Sequence, residues 1–124
     1  MKKQSPGFQF QILEKYLKIR KEELERLRMS TLKKVEEALE KVATQIKFDE
    51  AYIFGSLTKP GRFKKDSDID IGFYGLKDED FFKMISYLSL ELEREVDVIQ
   101  LEGHRLENKV KTEGIRWKKG NSQS

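Results

Sequence analysis

Three acidic residues and one Gly-Ser pair hold most of the chemistry this sequence can offer. Asp68 and Asp70 sit two apart in Ser67-Asp68-Ile69-Asp70-Ile71-Gly72-Phe73, which alternates strictly between polar and apolar. A strand of that period projects both carboxylates from one face, with Cα atoms about 7 Å apart. Ile69 and Ile71 then face the core and fix the register. Two carboxylates held side by side repel unless one is protonated or a cation neutralises them. Magnesium, a hard ion taking oxygen ligands at about 2.0–2.1 Å, suits such a pair. Asp97 stands between Val96 and Val98 in the apolar run Glu95 to Leu101, so it belongs on that strand's polar face. If the two strands are neighbours, three carboxylates gather. That set can hold two metals about 3.5–4 Å apart, or one metal beside a general base. Each acid taken alone also fits an ordinary solvated position.

Gly55-Ser56 follows the apolar run Ala51-Tyr52-Ile53-Phe54, which reads as a short buried strand. A glycine there lets the backbone approach closely, and exposed N–H groups with a serine hydroxyl can donate to phosphate oxygens. Between this turn and the acidic strand lie Lys59, Arg62, Lys64 and Lys65, with Pro60-Gly61 marking a turn. These bases can screen a polyphosphate. Lys59 and Lys65 are the two we assign to such a phosphate-bearing ligand.

Composition narrows the setting. The 124 residues contain no Cys, which excludes disulfides, thiolate zinc and a cysteine nucleophile. The length predicts one domain around one modest core. No apolar run approaches twenty residues and the N-terminus has no apolar signal segment, so a cytoplasmic protein is expected. The net charge of +3 is unevenly spread: residues 66–102 carry eleven acids against three bases, while residues 59–65 carry four bases and no acid. An acidic middle argues against a uniform phosphate-binding face, and direct nucleic-acid binding is not expected.

Those residues need elements to position them. Residues 8–47 have no Gly or Pro and are rich in Glu, Lys, Leu and Arg. Apolar residues step by three and four, with a phase change near Met29-Ser30-Thr31. The reading is two helices, about 8–28 and 31–47, or one kinked helix whose outer part projects from the core or meets another chain. A further helix is expected over about 78–93, acidic in its first turn, with Phe81, Phe82, Ile85, Leu88 and Leu92 facing inward. A strand follows at 95–101 and a short helix at 104–112. His104 reads as a surface or capping residue. Trp117 reads as a lid near the terminus, able to stack on a base. The expected architecture is α/β, a small mixed β-sheet with helices packed mainly on one face. Residues 1–30 form an N-terminal helical extension, 31–117 the domain and 118–124 a disordered tail.

Taken jointly, Gly55-Ser56, an eleven-residue gap, Asp68-x-Asp70 and Asp97 on a later strand resemble the nucleotidyltransferase superfamily that includes DNA polymerase beta. The core of the resemblance is FGSLTKPGRFKKDSDIDIGF, and it extends over about residues 31–117 to Glu113-Gly114-Ile115. The small size resembles the minimal (MNT) branch. The resemblance implies the nucleotidyltransferase fold, with ATP as co-substrate and one or two magnesium ions. Gly55 and Ser56 would hold the β- and γ-phosphates. Asp68, Asp70 and Asp97 would bind metal, or Asp97 would take the proton of the attacking hydroxyl. The gap after Ser56 is one residue longer than the commonest family spacing, and Leu57 stands where an arginine is frequent.

Minimal nucleotidyltransferases of this kind pair with a helical HEPN-domain ribonuclease toxin. As its antitoxin, the transferase moves AMP from ATP to a tyrosine hydroxyl of the toxin. The resemblance therefore implies a HEPN partner and a nucleotide substrate, in a homo- or hetero-oligomer. Two other readings stand beside it: an antitoxin acting by binding alone, and a homodimeric enzyme modifying a small hydroxylated molecule.

Overall fold

Helix-forming side chains without interruption give one helix where the phase change allowed two. A computed structural model describes residues 6–118, and α1 runs from Pro6 to Val42. Its 37 residues span about 55 Å. The weak helix formers Ser30 and Thr31 do not break it. Their hydroxyls donate back to the Leu27 carbonyl, at 3.1 and 2.7 Å, which keeps them inside the helix.

The polar–apolar alternation read at Ser67 to Phe73 becomes β2, Ile69–Tyr74, flanked by β1, Glu50–Phe54, and β3, Val96–Gln100. A fourth strand, β4, runs over Ile115–Lys118. The sheet order is β3-β2-β1-β4, with β2 and β3 parallel and the other pairs antiparallel. Between β2 and β3 lies α2, Phe81–Leu92, and α3, Glu107–Glu113, precedes β4.

The sheet faces two different environments. Ala51, Ile53, Ile69, Ile71, Phe73, Val96 and Val98 pack with α1 from Leu32 onward and with Met84 and Leu88 of α2. That is the main core. On the other face Tyr52 packs with Leu101 and with Val110 of α3. The two long helices thus share one face, and the short α3 covers only part of the second. The uncovered remainder is where the acids stand.

Two aromatic expectations change. Phe82, expected in the core, is 76% exposed, and Met84 takes the inward position instead. A helix turn places residues two apart on different sides, and Phe81 already fills the partly buried site. Trp117, expected as a lid, is 5% exposed, with its ring 5.6 Å from that of Phe48. Pairing of β4 with β1 sets Trp117 opposite Ala51, on the core face, so it does not reach a base. Lys118, read with the tail, is the last residue of β4. Residues 119–124 of that tail, and 1–5 of the extension, lie outside the described residues.

Candidate active site

Strand register decides which acids meet. Asp70 of β2 pairs with Asp97 of the parallel β3, and with Phe54 of the antiparallel β1. Register partners project to the same side, so Asp97, Asp70 and Phe54 form one row across three strands. Their neighbours Ile69, Ile71, Val96 and Val98 are buried on the opposite face, which prevents the acids from turning away. Asp68 lies two residues before Asp70, one position ahead of β2, and is exposed.

Asp70 is the electrostatic centre. Its carboxyl is pushed up to about 6, first by burial, then by the Asp97 charge, a hydrogen bond with Asp97 and the charge of Asp68. The other two acids therefore both act on this one group. A pair of carboxyls sharing a proton can trade it for a cation. Among the described residues, no group of three acidic or histidine side chains is already arranged to hold a metal. The donor chemistry nevertheless fits magnesium: oxygen only, anionic, and with a crowded carboxyl whose ionised form a cation would favour.

The Gly-Ser turn arrives directly beside this pair. Gly55 follows Phe54 and opens a 3₁₀ turn, Gly55–Thr58. Its φ is +78°, and a Cβ at this position would collide with the Asp70 carboxylate, so only glycine fits. The turn is held from both ends. The Thr58 hydroxyl donates to the Gly55 carbonyl at 2.8 Å, and the Lys59 N–H donates to the Ser56 carbonyl at 3.1 Å.

Of the two lysines assigned to the nucleotide, Lys59 lies with Gly55 beside α3, 3.7 Å from the Glu113 carboxylate. Lys65 stands apart, in a groove against α1 with Arg20, Leu24 and Arg26. His104 accepts a hydrogen bond from the Leu106 N–H at Nδ1, 3.0 Å, which orders the turn leading into α3; the N-cap of that helix is Leu106, with no side-chain cap.

Two arginines that sequence reasoning passed over position the site. Arg28 of α1 is buried and donates to the Leu57 carbonyl at 3.1 Å, tying the helix to the Gly55–Thr58 turn. Glu25 holds the other side of its guanidinium at 2.7 and 2.9 Å. Arg94 donates to the Ser67 carbonyl at 2.7 Å and lies 4.7 Å over the Phe63 ring, fixing the loop that enters Asp68. An arginine within the apolar stripe of α1 was the one available signal for the first. Nothing local marked the second.

A mixed four-stranded sheet with paired acids on adjacent parallel strands and a Gly-Ser turn beside them defines a nucleotidyltransferase-type site. The family described as Polymerase beta, Nucleotidyltransferase matches residues 33–119. The chain belongs to that family. A structure from Sulfolobus solfataricus, assigned as a nucleotidyltransferase, is 32% identical, with 76% of this chain and 86% of that one covered and a TM-score of 0.50. A structure assigned as a minimal nucleotidyltransferase is 26% identical, covering 74% of this chain and 93% of that one, with a TM-score of 0.52. A toxin–antitoxin structure with AMP-PNP is 24% identical over 70% of this chain and 76% of that one, at a TM-score of 0.57, a likeness of fold. No curated protein sequence matches the chain.

Proposed function

We propose that this protein transfers AMP from ATP to a tyrosine hydroxyl of a HEPN-domain ribonuclease toxin, in the cytoplasm, and so acts as its antitoxin. The observation that carries the transferase reading is the Asp70–Asp97 pair set directly against Gly55. Pure binding does not need two carboxyls held at an unfavourable distance beside a glycine-only turn.

Gly55 and Ser56 hold the β- and γ-phosphates through the backbone and the serine hydroxyl, and Lys59 adds a charge at that end. Asp68, Asp70 and Asp97 would hold magnesium, which when bound neutralises phosphate charge and the acids together. The acceptor hydroxyl approaches from the β3 side, opposite the Gly-Ser turn. Its oxygen forms a bond to the α-phosphorus as the bond to the pyrophosphate oxygen breaks. Asp97, exposed at the outer end of the acidic row, takes the hydroxyl proton. Positioning and charge neutralisation supply most of such catalysis.

The partner assignment draws on two further observations. The fold resembles that of a toxin–antitoxin structure containing AMP-PNP. The outer part of α1 also leaves Phe10, Ile12, Leu13, Tyr16, Leu17 and Ile19 exposed, an apolar arm beyond the core. Such a face suits docking to a helical protein.

The test is incubation with magnesium, ATP and the product of the adjacent gene, read by intact mass. An AMP adduct on the partner's tyrosine supports the proposal. Binding without an adduct, unchanged in Asp68→Asn/Asp70→Asn, overturns it in favour of a binding-only antitoxin. Pyrophosphate release only with a small hydroxylated acceptor overturns it in favour of a small-molecule enzyme.

A further inference from the structure

A cleft of about 230 Å³ opens beside the Gly-Ser turn, between that turn and α3. Its apolar walls are Phe54 of β1 with Leu106 and Val110, the last 2% exposed. Gly55 and Thr58 form the near side, and Lys59, Lys109 and Glu113 form the polar rim. None of the roles assigned to the acids accounts for an apolar slot at this place.

Size and position restrict what enters. Clefts that house a whole drug-sized ligand run to roughly 300–1,000 Å³, so this one admits a single flat ring system. The near side is the turn assigned to phosphate, so the ring belongs to a molecule that also carries phosphate. The ring of an incoming acceptor is the other candidate, and the sheet order argues against it. The slot lies over β1, and Asp97 stands on β3, with β2 between them. An acceptor hydroxyl must reach the Asp97 side, opposite the leaving pyrophosphate.

We propose that this cleft seats the base of the bound nucleoside triphosphate, between Phe54 on one side and Leu106, just before α3, with Val110 of α3 on the other. The assignment rests on the triphosphate reading of the Gly-Ser turn. Lys59 and Glu113 face each other at 3.7 Å, both about half exposed (52% and 51%), and the pair is loose enough to open. On binding, Lys59 turns to the phosphates, and the Glu113 carboxylate accepts a hydrogen bond from an exocyclic amine of the base. Bases bearing an amine are thereby preferred to uracil.

Methyl NMR on the full chain with magnesium tests this, comparing ATP with ribose 5-triphosphate, which lacks only the base. The expected result is that ATP binds at least tenfold more tightly and moves the Leu106 and Val110 methyl resonances, while ribose 5-triphosphate leaves them in place. Leu106→Trp, which fills the slot, should lose the ATP advantage and keep its affinity for ribose 5-triphosphate. Equal affinity for the two ligands overturns the proposal, as does ATP binding that leaves both methyls unmoved. Methyls moved by N-acetyltyrosinamide and not by ATP would give the cleft to the acceptor and overturn it too. If neither triphosphate binds, the phosphate reading of Gly55-Ser56 fails, and the base assignment falls with it.

Discussion

Arg28, in the middle of the long helix, donates to the carbonyl of Leu57, in the turn that begins at Gly55. Twenty-nine residues separate them, and the contact is buried. It ties the N-terminal helix to the Gly55–Thr58 turn, so the helix is part of the scaffold that sets where that turn sits beside Asp70.

Arg28→Met should therefore act on both stability and nucleotide binding. It leaves the Leu57 carbonyl without its charged donor, a loss of about 1–3 kcal/mol. Denaturant unfolding should show this, and the apparent KM for ATP should rise more than kcat falls. Arg28→Lys should recover little, because an ammonium cannot match the guanidinium's simultaneous contacts with Glu25 and Leu57. Unchanged ATP affinity in both variants would remove Arg28 from the cradle.

Asp70 predicts a pH signature in metal-free protein. Its folded pKa, about 6, lies above the ordinary 3.8, so folding favours the protonated form. The stability this group gives is fully present below about pH 4 and is lost as pH rises through about 6. Asp70→Asn removes that loss. Above pH 6 the metal-free variant should exceed wild type by on the order of 1 kcal/mol, after discounting for the half-exposed site. Thermal melts from pH 4 to 8 measure the difference, and a flat difference would refute it.

Magnesium should reverse that ranking. At pH 7.5 a cation held by Asp70 and Asp97 would offset the crowding of their carboxylates, so wild type should melt higher with magnesium than with a chelator. Asp70→Asn should respond weakly, and its transfer activity should fall by at least about a hundredfold, in line with the loss of a charge-stabilising group. A variant that keeps its activity would take Asp70 out of the chemistry.

The arm of α1 predicts a separation of folding from partner binding. Leu13 and Leu17 are 52% and 53% exposed, one turn apart on the same side. Leu13→Glu/Leu17→Glu should change folding stability by no more than about 0.5 kcal/mol, as substitutions away from the core do. Affinity for the partner should fall at least tenfold by calorimetry. Full affinity in the double variant would place the partner elsewhere.

Glu93 tests the backbone itself. It ends α2 in the left-handed region, φ +50°, where a Cβ is strained. Glu93→Gly should raise stability by up to about 1 kcal/mol, through a helix end that glycine adopts freely. A chemical melt reads it directly, and a decrease would contradict the cap geometry.

What could be read in advance was whatever the local period controls. Alternation over Ser67 to Phe73 placed Ile69 and Ile71 inward and Asp70 outward, and the valines flanking Asp97 did the same on β3. The glycine after Phe54 announced a turn, and the helix formers of residues 8–47 announced helix there, while the phase change near Ser30 left one helix or two open. Phe82 departs from its expected place because adjacent residues on a helix point about 100° apart, and composition does not say which of the two aromatics faces the core. Trp117 departs from its expected place because β4 is four residues long, too short to show a period of its own.

Sequence alone thus determined three of the four strands, the helical character of the N-terminal region, the identity of the acids and the face that Asp70 and Asp97 take, since side-chain direction follows from backbone repeat within a few residues. Only the tertiary structure decided that Asp97 pairs with Asp70, that Gly55 abuts that carboxylate, and that Arg28 reaches Leu57. Those contacts join residues 15 to 29 positions apart through strand order and helix packing, which depend on how the whole core closes and leave no trace in any local pattern.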